Sequence, residues 1–433
     1  MKRELPRSNS LTSQLRNSLP RNIVVLGLVS FLTDSSSEMM IWTIPFFISL
    51  LGGGAIWIGI VEGLRESLAS LLKLGSGWFS DRIGRRKLLV VLGYGVSTLA
   101  KPILALAAAP WHVLGLLGVE RVGKGVRTAP RDALIAGSVD ASHRAKAFSF
   151  HRMMDHAGAA LGLAAGTVLV AGLFPLFRDA GNRTPADVFR VIYLLAAVPA
   201  VLAVLAGLLF LKEESAQPKT VRLSFRARYD RRFWGFLSVL LLFALGNSSD
   251  LFLIVRAGDV LGYKAVLSEA ERAALASNWH FPWQLPLMFL VLSLAKAVFS
   301  MPGGFLADRI GRARTLALGW AIYALVYVAF GFASHGWQVW VLFVLYGIFY
   351  GFTEGVEKAV VADFVRPEVR GAAYGLYAFA DGIAKFPASL LLGVLYQSLG
   401  AGAAFSFGGA CAGAAAIGLF FLRTGRAQLT AKS

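Results

Sequence analysis

Carboxylate and guanidinium side chains stand inside long apolar segments of this sequence. Asp34 and Glu38 lie four residues apart in the first segment, so in a helix they share one face. Glu62 and Arg65 stand in the second segment. A charged side chain at the centre of a bilayer costs about 2.5–3.5 kcal/mol even on a lenient insertion scale, so such residues usually have a function. Carboxylates in this setting can bind and release protons or form ion pairs.

The fourth apolar segment carries the densest charge. Arg121, Lys124 and Arg127 lie within two turns of one helix. A guanidinium close to a carboxylate of the first segment would favour the ionised carboxylate, and protonation would release the pair. A permanent ion pair without a role in proton transfer is the alternative. The candidates for a path of substrate and protons are Asp34, Glu38, Glu62, Arg65, Arg121, Lys124, Arg127, Asp155, Tyr350, Glu354 and Glu357.

Two histidines in the fifth segment raise the question of a metal site. His151 and Asp155 share a helix face and His156 is adjacent, which is compatible with a transition metal. The cations of the fourth segment would repel such an ion, and histidines that only pack and form hydrogen bonds are the alternative. We therefore predict no bound metal, with these three residues as the candidate ligands if one is present.

The stretch 118–124 has the spacing of a phosphate-binding loop, but Gly125 stands where serine or threonine would bind magnesium. The stretch also lies in an apolar segment and not after a strand. The sequence contains no His-Glu-x-x-His helix and no Gly-x-Ser-x-Gly elbow. We expect no cofactor, no ATP hydrolysis and no enzymatic activity.

The composition indicates which elements position these residues. Of 433 residues, 56% are hydrophobic and 16% are charged, whereas a soluble domain needs more polar surface. About 20 apolar residues make one transmembrane helix, and in lipid a helix satisfies its own backbone. The sequence predicts an all-α membrane protein with twelve transmembrane helices. The predicted segments are 23–50, 55–79, 88–108, 112–136, 147–174, 190–211, 233–257, 285–305, 315–334, 338–364, 371–396 and 403–422.

Short clusters of lysine and arginine predict how the chain is oriented in the membrane. They occupy alternate loops and both termini, so the positive-inside rule places both termini in the cytoplasm. The net charge of +18 then reflects membrane orientation, and we expect no binding to nucleic acid. The predicted units are a cytoplasmic tail at 1–22, a six-helix bundle at 23–211, a cytoplasmic loop at 212–232, a second six-helix bundle at 233–422 and a cytoplasmic tail at 423–433.

The two predicted bundles look like copies of one unit. GWFSDRIGR at 77–85 recurs as GFLADRIGR at 304–312, and LTDSS at 32–36 matches LGNSS at 245–249. A third block after Arg144 matches the residues after Arg370. Three blocks in the same order indicate pseudo-symmetric parallel halves, an architecture that places the solute site between the halves at mid-membrane.

The repeated motif also predicts a gate between the halves. Gly77 and Gly304 would let two helices approach closely, and Gly84 and Gly311 would permit tight turns. Asp81 and Asp308 would accept hydrogen bonds from the N-terminus of a facing helix or form ion pairs with arginines. The alternative for those arginines is that they only orient the helices during membrane insertion. The predicted gate residues are Gly77, Asp81, Arg82, Gly84, Arg85, Gly304, Asp308, Arg309, Gly311 and Arg312.

Over essentially its whole length the sequence resembles the major facilitator superfamily. GWFSDRIGRRK at 77–87 resembles the signature between helices two and three of that family, and 304–314 resembles its weaker second copy. RVGKG at 121–125 resembles the fourth-helix signature of proton-coupled exporters, with Lys124 in place of the usual glutamine. The fifth-helix antiporter signature is incomplete because its proline is absent. RTAPRDALIAG with HRMMDHAGAALG is also similar to nickel-resistance-type permeases of bacteria.

The resemblance implies a proton- or ion-coupled carrier that works by alternating access. We predict a secondary active transporter of a small molecule or ion, with proton-coupled export as the first reading. We expect a monomer that spans the bilayer of the bacterial inner membrane several times. A nickel-type cation efflux permease and an uptake symporter for an organic anion are the alternatives, and a receptor with a transport fold would keep the halves without solute flux.

Overall fold

The computed structural model describes residues 20–83, 85–139, 144–181, 183–213, 229–264, 281–364 and 370–422. Most of the predicted tails and central loop lies outside this part. The described residues form α-helices and one 3₁₀ turn (Ile41–Thr43), with no strand among them. The helices are α1 (Arg21–Met40), α2 (Ile44–Leu50), α3 (Ala55–Ile83), α4 (Arg86–Leu104), α5 (Pro110–Gly137), α6 (Arg144–Ala180), α7 (Pro185–Phe210), α8 (Arg231–Gly246), α9 (Leu251–Val260), α10 (Gln284–Ile310), α11 (Arg312–Phe332), α12 (Gly336–Asp363) and α13 (Arg370–Phe421).

Most of these helices suit a bilayer. Within the described residues, nine stretches are long and apolar enough to cross a membrane. Helices α3 and α5, which the sequence also predicts as spans, are not among the nine. Both carry several charged residues, so they need neighbours that shield them from lipid. The nine stretches are Arg21–Leu50, Arg86–Leu104, Phe150–Ala180, Pro185–Phe210, Arg231–Val260, Gln284–Ala307, Arg312–Phe332, Gly336–Glu354 and Leu376–Phe421.

Contacts with neighbouring helices shield α3 and α5 from lipid. In the first half of the chain, α1 packs against α6 and α7, α4 packs against α5 and α7, and α3 packs against α5. In the second half, α10 packs against α12, and α13 packs against α8 and α11. The halves are joined by α3 with α13, by α6 with α10, and by α2 with α9. The two charged helices thus lie among other helices.

Two of the predicted spans contain a break in the helix, although each still forms one stretch long and apolar enough to cross a membrane. The segment 23–50 is interrupted by the 3₁₀ turn just before Pro45, whose ring nitrogen has no hydrogen to continue the helical bonds. The segment 233–257 is interrupted at 247–250, where Asn247 leaves the helical conformation and the hydroxyl of Ser249 accepts from the Leu251 amide at 3.3 Å. At membrane depth, non-helical backbone is tolerated where it lines a cavity.

A third break separates the last two predicted segments. They form two helices, here labelled together as α13, which meet at a kink where Gly400 has the non-helical angles φ +83° and ψ 174°. A residue with a side chain rarely adopts a positive φ, so glycine is required for this kink. The two parts of α13 correspond to the predicted segments 371–396 and 403–422.

Glycines bring α3 and α13 into backbone contact. A Cβ atom on Gly59 would lie 2.4 Å from the carbonyl oxygen of Ser389, and one on Gly393 would lie 2.5 Å from that of Ala55. A Cβ on Gly63 would lie 2.9 Å from the backbone of Phe386. Each distance is too short for a side chain, so the halves meet along a stripe of small residues.

The predicted close approach at Gly304 was wrong. A Cβ there would meet open space, whereas one on the neighbouring Gly303 would lie 2.3 Å from the carbonyl oxygen of Gly351. Adjacent helical residues point about 100° apart, so only one of the two can face a packed neighbour. At Gly311 the predicted tight turn is confirmed, because this residue joins α10 and α11 with φ +96°.

Replacing Gly59 by alanine should separate α3 from α13 and destabilise the protein by about 1–3 kcal/mol, the usual cost of overpacking. The measurement is thermal unfolding of the purified protein in detergent. The matched control is Gly118→Ala on α5, where a Cβ meets nothing within 4 Å. That change should be neutral or stabilising, because alanine favours helix over glycine by about 1 kcal/mol. Equal melting temperatures for Gly59→Ala and the parent would contradict the contact.

Candidate functional site

A cavity of about 210 Å³ lies between the two halves of the chain. Its wall includes the second helix break, residues 247–250, and side chains from α1, α3, α10, α12 and α13. Most of the lining residues are polar or charged, which suits a small solute with polar groups. The lining residues are Glu38, Ile41, Glu62, Arg65, Glu66, Asn247, Ser248, Ser249, Asp250, Leu251, Phe289, Tyr350, Lys385 and Ser389.

Glu62 and Arg65 form a buried ion pair in the wall. Arg65 Nη1 lies 2.6 Å from Glu62 Oε2, and the two side chains are 10% and 1% exposed. The hydroxyl of Ser249 donates to the same carboxylate oxygen at 3.0 Å. Because Ser249 belongs to the second half, this hydrogen bond crosses the interface.

Glu66 and Lys385 face each other across the same interface. Lys385 Nζ lies 3.8 Å from Glu66 Oε2 and 3.3 Å from Asp381 Oδ2 on its own helix. Glu66 also lies 3.8 Å from Arg121 Nη2, and Arg121 contacts Glu120 at 3.1 Å. Each of the two facing groups therefore has a partner in its own half as well as in the other.

Asp250 is fixed by three groups of the second half. The hydroxyls of Tyr346 and Tyr350 donate to its carboxylate at 2.8 and 2.9 Å. The ammonium of Lys296 lies 3.6 Å from Asp250 Oδ2 and 3.5 Å from the centre of the Tyr350 ring. The predicted pathway residue Tyr350 thus lines the cavity and holds a carboxylate.

Glu38 differs from the other carboxylates of the cavity. Within the part of the chain that the structure describes, its half-buried carboxylate makes no hydrogen bond and no ion pair. The cations that act on it from a distance are Arg65, Lys101, Lys124 and Lys296. Arg65 and Lys296 already contact Glu62 and Asp250, so Glu38 remains open to a proton or a solute.

Asp34 lies one helical turn from Glu38 but does not line the cavity. The charges that act on it are those of Asp155, Lys124, Glu38 and Arg127. It therefore lies inside the first half, among α1, α5 and α6.

Among the described residues, Arg127 contacts α4 and forms no ion pair with a carboxylate. Its guanidinium donates to Ser97 Oγ at 2.6 Å and stacks 4.2 Å above the Tyr94 ring, both on α4. Lys124 is half-buried, and its ammonium makes no hydrogen bond or ion pair among the described residues. Of these two cations of the fourth segment, Arg127 therefore contacts α4, whereas Lys124 acts on the carboxylates of α1.

Asp155 and His151 form a buried cluster with α1. The hydroxyl of Ser30 donates to Asp155 Oδ1, and His151 Nδ1 lies 3.4 Å from the same oxygen. Arg152 lies 3.7 Å from the other oxygen. His156 is exposed, and among the described residues no three His, Cys, Asp or Glu side chains are placed to hold a metal. The candidate trio therefore does not form a metal site, because His156 points to a different face from the other two.

Two predicted wall residues lie elsewhere. Glu354 is exposed, and Glu357 accepts from the Tyr377 hydroxyl at 2.7 Å and the Trp320 indole at 3.5 Å. Neither lines the cavity, so their prediction as its opposite wall was wrong. Tyr350, one turn earlier on α12, takes that place.

The predicted gate is only partly described. Gly84 and the side chains of Asp81, Arg82 and Asp308, like the surroundings of Gly77, lie outside the described part. Arg85 and Arg309 are exposed, and Arg312 is half-buried at the start of α11. The gating role of the motif therefore stays a prediction.

Sequence reasoning missed several residues near the cavity. Asn247, Ser249 and Ser389 line it, and Lys101 is buried beside the α1 carboxylates. The signal for Lys101 was a lysine within the third apolar segment. The signal for Asn247 and Ser249 was the polar run 247–250, which the internal repeat aligns with the region of Asp34. These residues line the cavity because the helix is interrupted there.

Arg65→Met should destabilise the protein by about 3–5 kcal/mol, because it leaves Glu62 buried without its counter-charge. Adding Glu62→Gln should recover much of that loss, since the amide can still accept from Ser249. Thermal unfolding of the two single variants and the double variant gives the coupling between the side chains. The matched control is Arg178→Met, whose partner Asp179 is 68% exposed, and there the change should be about 1 kcal/mol or less. Additive losses at positions 62 and 65 would contradict the buried pair.

Known proteins resemble this chain along its whole length. The family model of the Major Facilitator Superfamily matches residues 23–278 and 274–433. An uncharacterized MFS-type transporter of Methanocaldococcus jannaschii is 34% identical over 383 residues, 88% of this chain and 89% of that protein. Multidrug resistance protein MdtH of Edwardsiella ictaluri is 30% identical over 125 residues, 29% of this chain and 31% of that protein.

Solved structures extend the likeness to the fold. The crystal structure of the nucleoside transporter NupG superposes with a TM-score of 0.72 at 11% identity, covering 92% of this chain and 98% of that one. Identity this low shows the fold alone. Together with the match of the family model, the described helices make this a multi-pass membrane protein, a transporter and not an enzyme. The chain belongs to the Major Facilitator Superfamily.

Proposed function

We propose that this protein exports a small solute in exchange for protons, by alternating access of two six-helix bundles at 23–211 and 233–422. The observation that carries the proposal is the unpartnered Glu38 carboxylate in a cavity lined by both halves. Glu38 binds the proton in this scheme, and Asp34 passes it along α1. Three other carboxylates of the lining are already held by cations, which leaves Glu38 as the group free to change its charge.

The lining favours a solute with a cationic or hydrogen-bond-donating group over an anion. Four carboxylates face two cations in the wall, and both cations, Arg65 and Lys385, are engaged by glutamates. An organic anion would have to compete with those glutamates. A nickel ion would need several ligands close together, and among the described residues no such group occurs. These observations weigh against both alternatives.

The direction of transport is also a proposal. The partial likeness to MdtH, a protein named for multidrug resistance, supports export. Proton entry down the usual inward gradient could then drive the solute outward, with each ligand binding Glu38 in turn.

The contacts between halves support an inward-facing state. Phe46 of α2 packs edge-on against Tyr263 and Phe281 of the second half, with ring centres 5.5 and 5.2 Å apart. The Ile56 amide donates to Gln397 Oε1 at 3.2 Å in the same region. The positive-inside rule assigns this end of the molecule to the outer face. The outer side is therefore closed in the proposed assignment.

Glu38→Gln should abolish solute movement driven by a proton gradient while leaving the cavity folded. The measurement uses reconstituted vesicles with an imposed gradient and an internal pH dye. Small primary amines, organic acids and Ni²⁺ are added one at a time. With the parent protein, an amine should dissipate the gradient at least tenfold faster than in empty vesicles, which corresponds to about 1.4 kcal/mol of barrier. Glu38→Gln should return the rate to that of empty vesicles.

The control is Asp179→Asn, which removes an exposed carboxylate far from the cavity and should leave the rate unchanged. Dissipation by Ni²⁺ or by the acids alone would favour the alternative functions. Equal rates for the parent and Glu38→Gln would exclude Glu38 as the coupling carboxylate.

The proposed orientation is tested with single cysteines in a Cys411→Ala background. Asp179→Cys should react with a membrane-impermeant maleimide in intact cells, because it lies in a predicted outer loop. Arg231→Cys, at the start of α8, should react only after the cells are opened. Labelling in the opposite order would reverse the orientation and the proposed inward-facing state.

A further inference from the structure

Lys101 is a buried lysine that the proposed cycle does not yet use. It lies in the last turn of α4, and only 3% of the residue is exposed. Moving an ammonium out of water costs several kcal/mol unless counter-charges and hydrogen bonds compensate for the loss. A lysine kept at such a place therefore calls for a physical reason.

Hydrogen bonds hold the Lys101 ammonium in one position. It donates to Ser36 Oγ at 2.5 Å and to Ser37 Oγ at 3.1 Å, both on α1. Ser36 in turn donates to the Ala196 carbonyl of α7. Three helices thus fix the charge. A lysine that only stabilised the end of α4 would donate to its last carbonyls, but this one points across to α1.

The acidic groups around Lys101 face it without touching it. In the described part of the chain no carboxylate forms an ion pair with it. Its two serine partners lie between Asp34 and Glu38 on α1, and both of these carboxylates act on its charge. From α5, Glu120 and Arg127 act on it as well. Charges interact over longer distances in a protein interior than in water, so a fixed ammonium here favours ionised carboxylates on α1.

Other cations near Glu38 serve different groups. Arg65 and Lys296 contact Glu62 and Asp250, while Lys124 is half-buried and its ammonium makes no hydrogen bond among the described residues. Lys101 is both fixed and free of a carboxylate partner. Asp34 is faced in addition by Asp155 of α6 and Arg127 of α5.

We propose that Lys101 is a positioning residue for proton binding: its ammonium, held by Ser36 and Ser37, favours the ionised form of Asp34 and Glu38 and so helps to set the pH at which they take up a proton. The inference rests on the proposed function, in which these two carboxylates carry the coupling proton. Loss of the charge makes each carboxylate easier to protonate, so proton uptake moves to higher pH. A purely structural lysine would affect folding and leave that pH unchanged.

The test is an infrared titration of the full-length protein in lipid vesicles, which needs no solute. The carbonyl stretch of protonated carboxyl groups is recorded against pH. Lys101→Gln, which keeps a donor for the serines, and Lys101→Met should each move the midpoint upward by about one pH unit or more. Lys101→Arg should restore the parent midpoint. The matched control is Lys87→Met at the other end of α4, where the ammonium donates to the Leu208 carbonyl, and it should leave the midpoint unchanged.

The outcomes separate the inference from the proposed function. Unchanged midpoints in Lys101→Gln and Lys101→Met would overturn the role of Lys101, whatever their folding stability. The Asp34→Asn, Glu38→Gln double variant should lose the part of the band that shifts in Lys101→Gln. If that part persists in the double variant, the proposed proton site is wrong, and the shift in the Lys101 variants would then report other carboxyl groups. If Lys101→Met does not reach the membrane, Lys101→Gln alone decides the question.

Discussion

Ionised side chains inside a bilayer need counter-charges or water, and this need organises the whole molecule. Helices α3 and α5 carry charge that lipid cannot solvate, and both lie among other helices. Their charged side chains act on Asp34 and Glu38 of α1, and Glu66 of α3 meets Lys385 of α13 where the halves of the chain join. The cavity is a consequence, because charged groups that face one another across an interface keep polar space between them.

The breaks in two helices serve the same interface. Asn247, Ser248 and Ser249 present a short non-helical backbone to the cavity, and their counterparts in the first half of the repeat lie within the continuous helix α1. The first half interrupts its helix later, at the 3₁₀ turn before Pro45. The halves therefore share a sequence pattern but build different walls. The first half supplies Glu38 from helix α1, and the second half supplies Asn247, Ser248, Ser249 and Asp250 from an unwound turn.

Sequence periodicity was sufficient to predict the helices but not to predict which neighbours their faces contact. Apolar segment lengths predicted the helices to within a few residues at most ends, and the spacing of Asp34 and Glu38 correctly put them on one face. Periodicity does not tell which neighbour a face meets. It therefore missed the burial of Lys101, assigned close packing to Gly304 when Gly303 has it, and put Glu354 and Glu357 in a wall that Tyr350 occupies. The helix breaks were missed because each apolar run continues across its break.

The arrangement of ion pairs bears on how such halves can separate. Among the described residues, polar contacts join the halves at the cavity between Ser249 and Glu62 and between Lys385 and Glu66. In both, each charged group has a second partner in its own half: Arg65 for Glu62, Arg121 for Glu66 and Asp381 for Lys385. When the halves move apart in the proposed cycle, no buried charge is left without a counter-charge. The large penalty for an unpaired buried ion is thereby avoided at these two contacts. Glu38 stands outside this scheme of paired charges, so its protonation can change the charge of the cavity without breaking an ion pair.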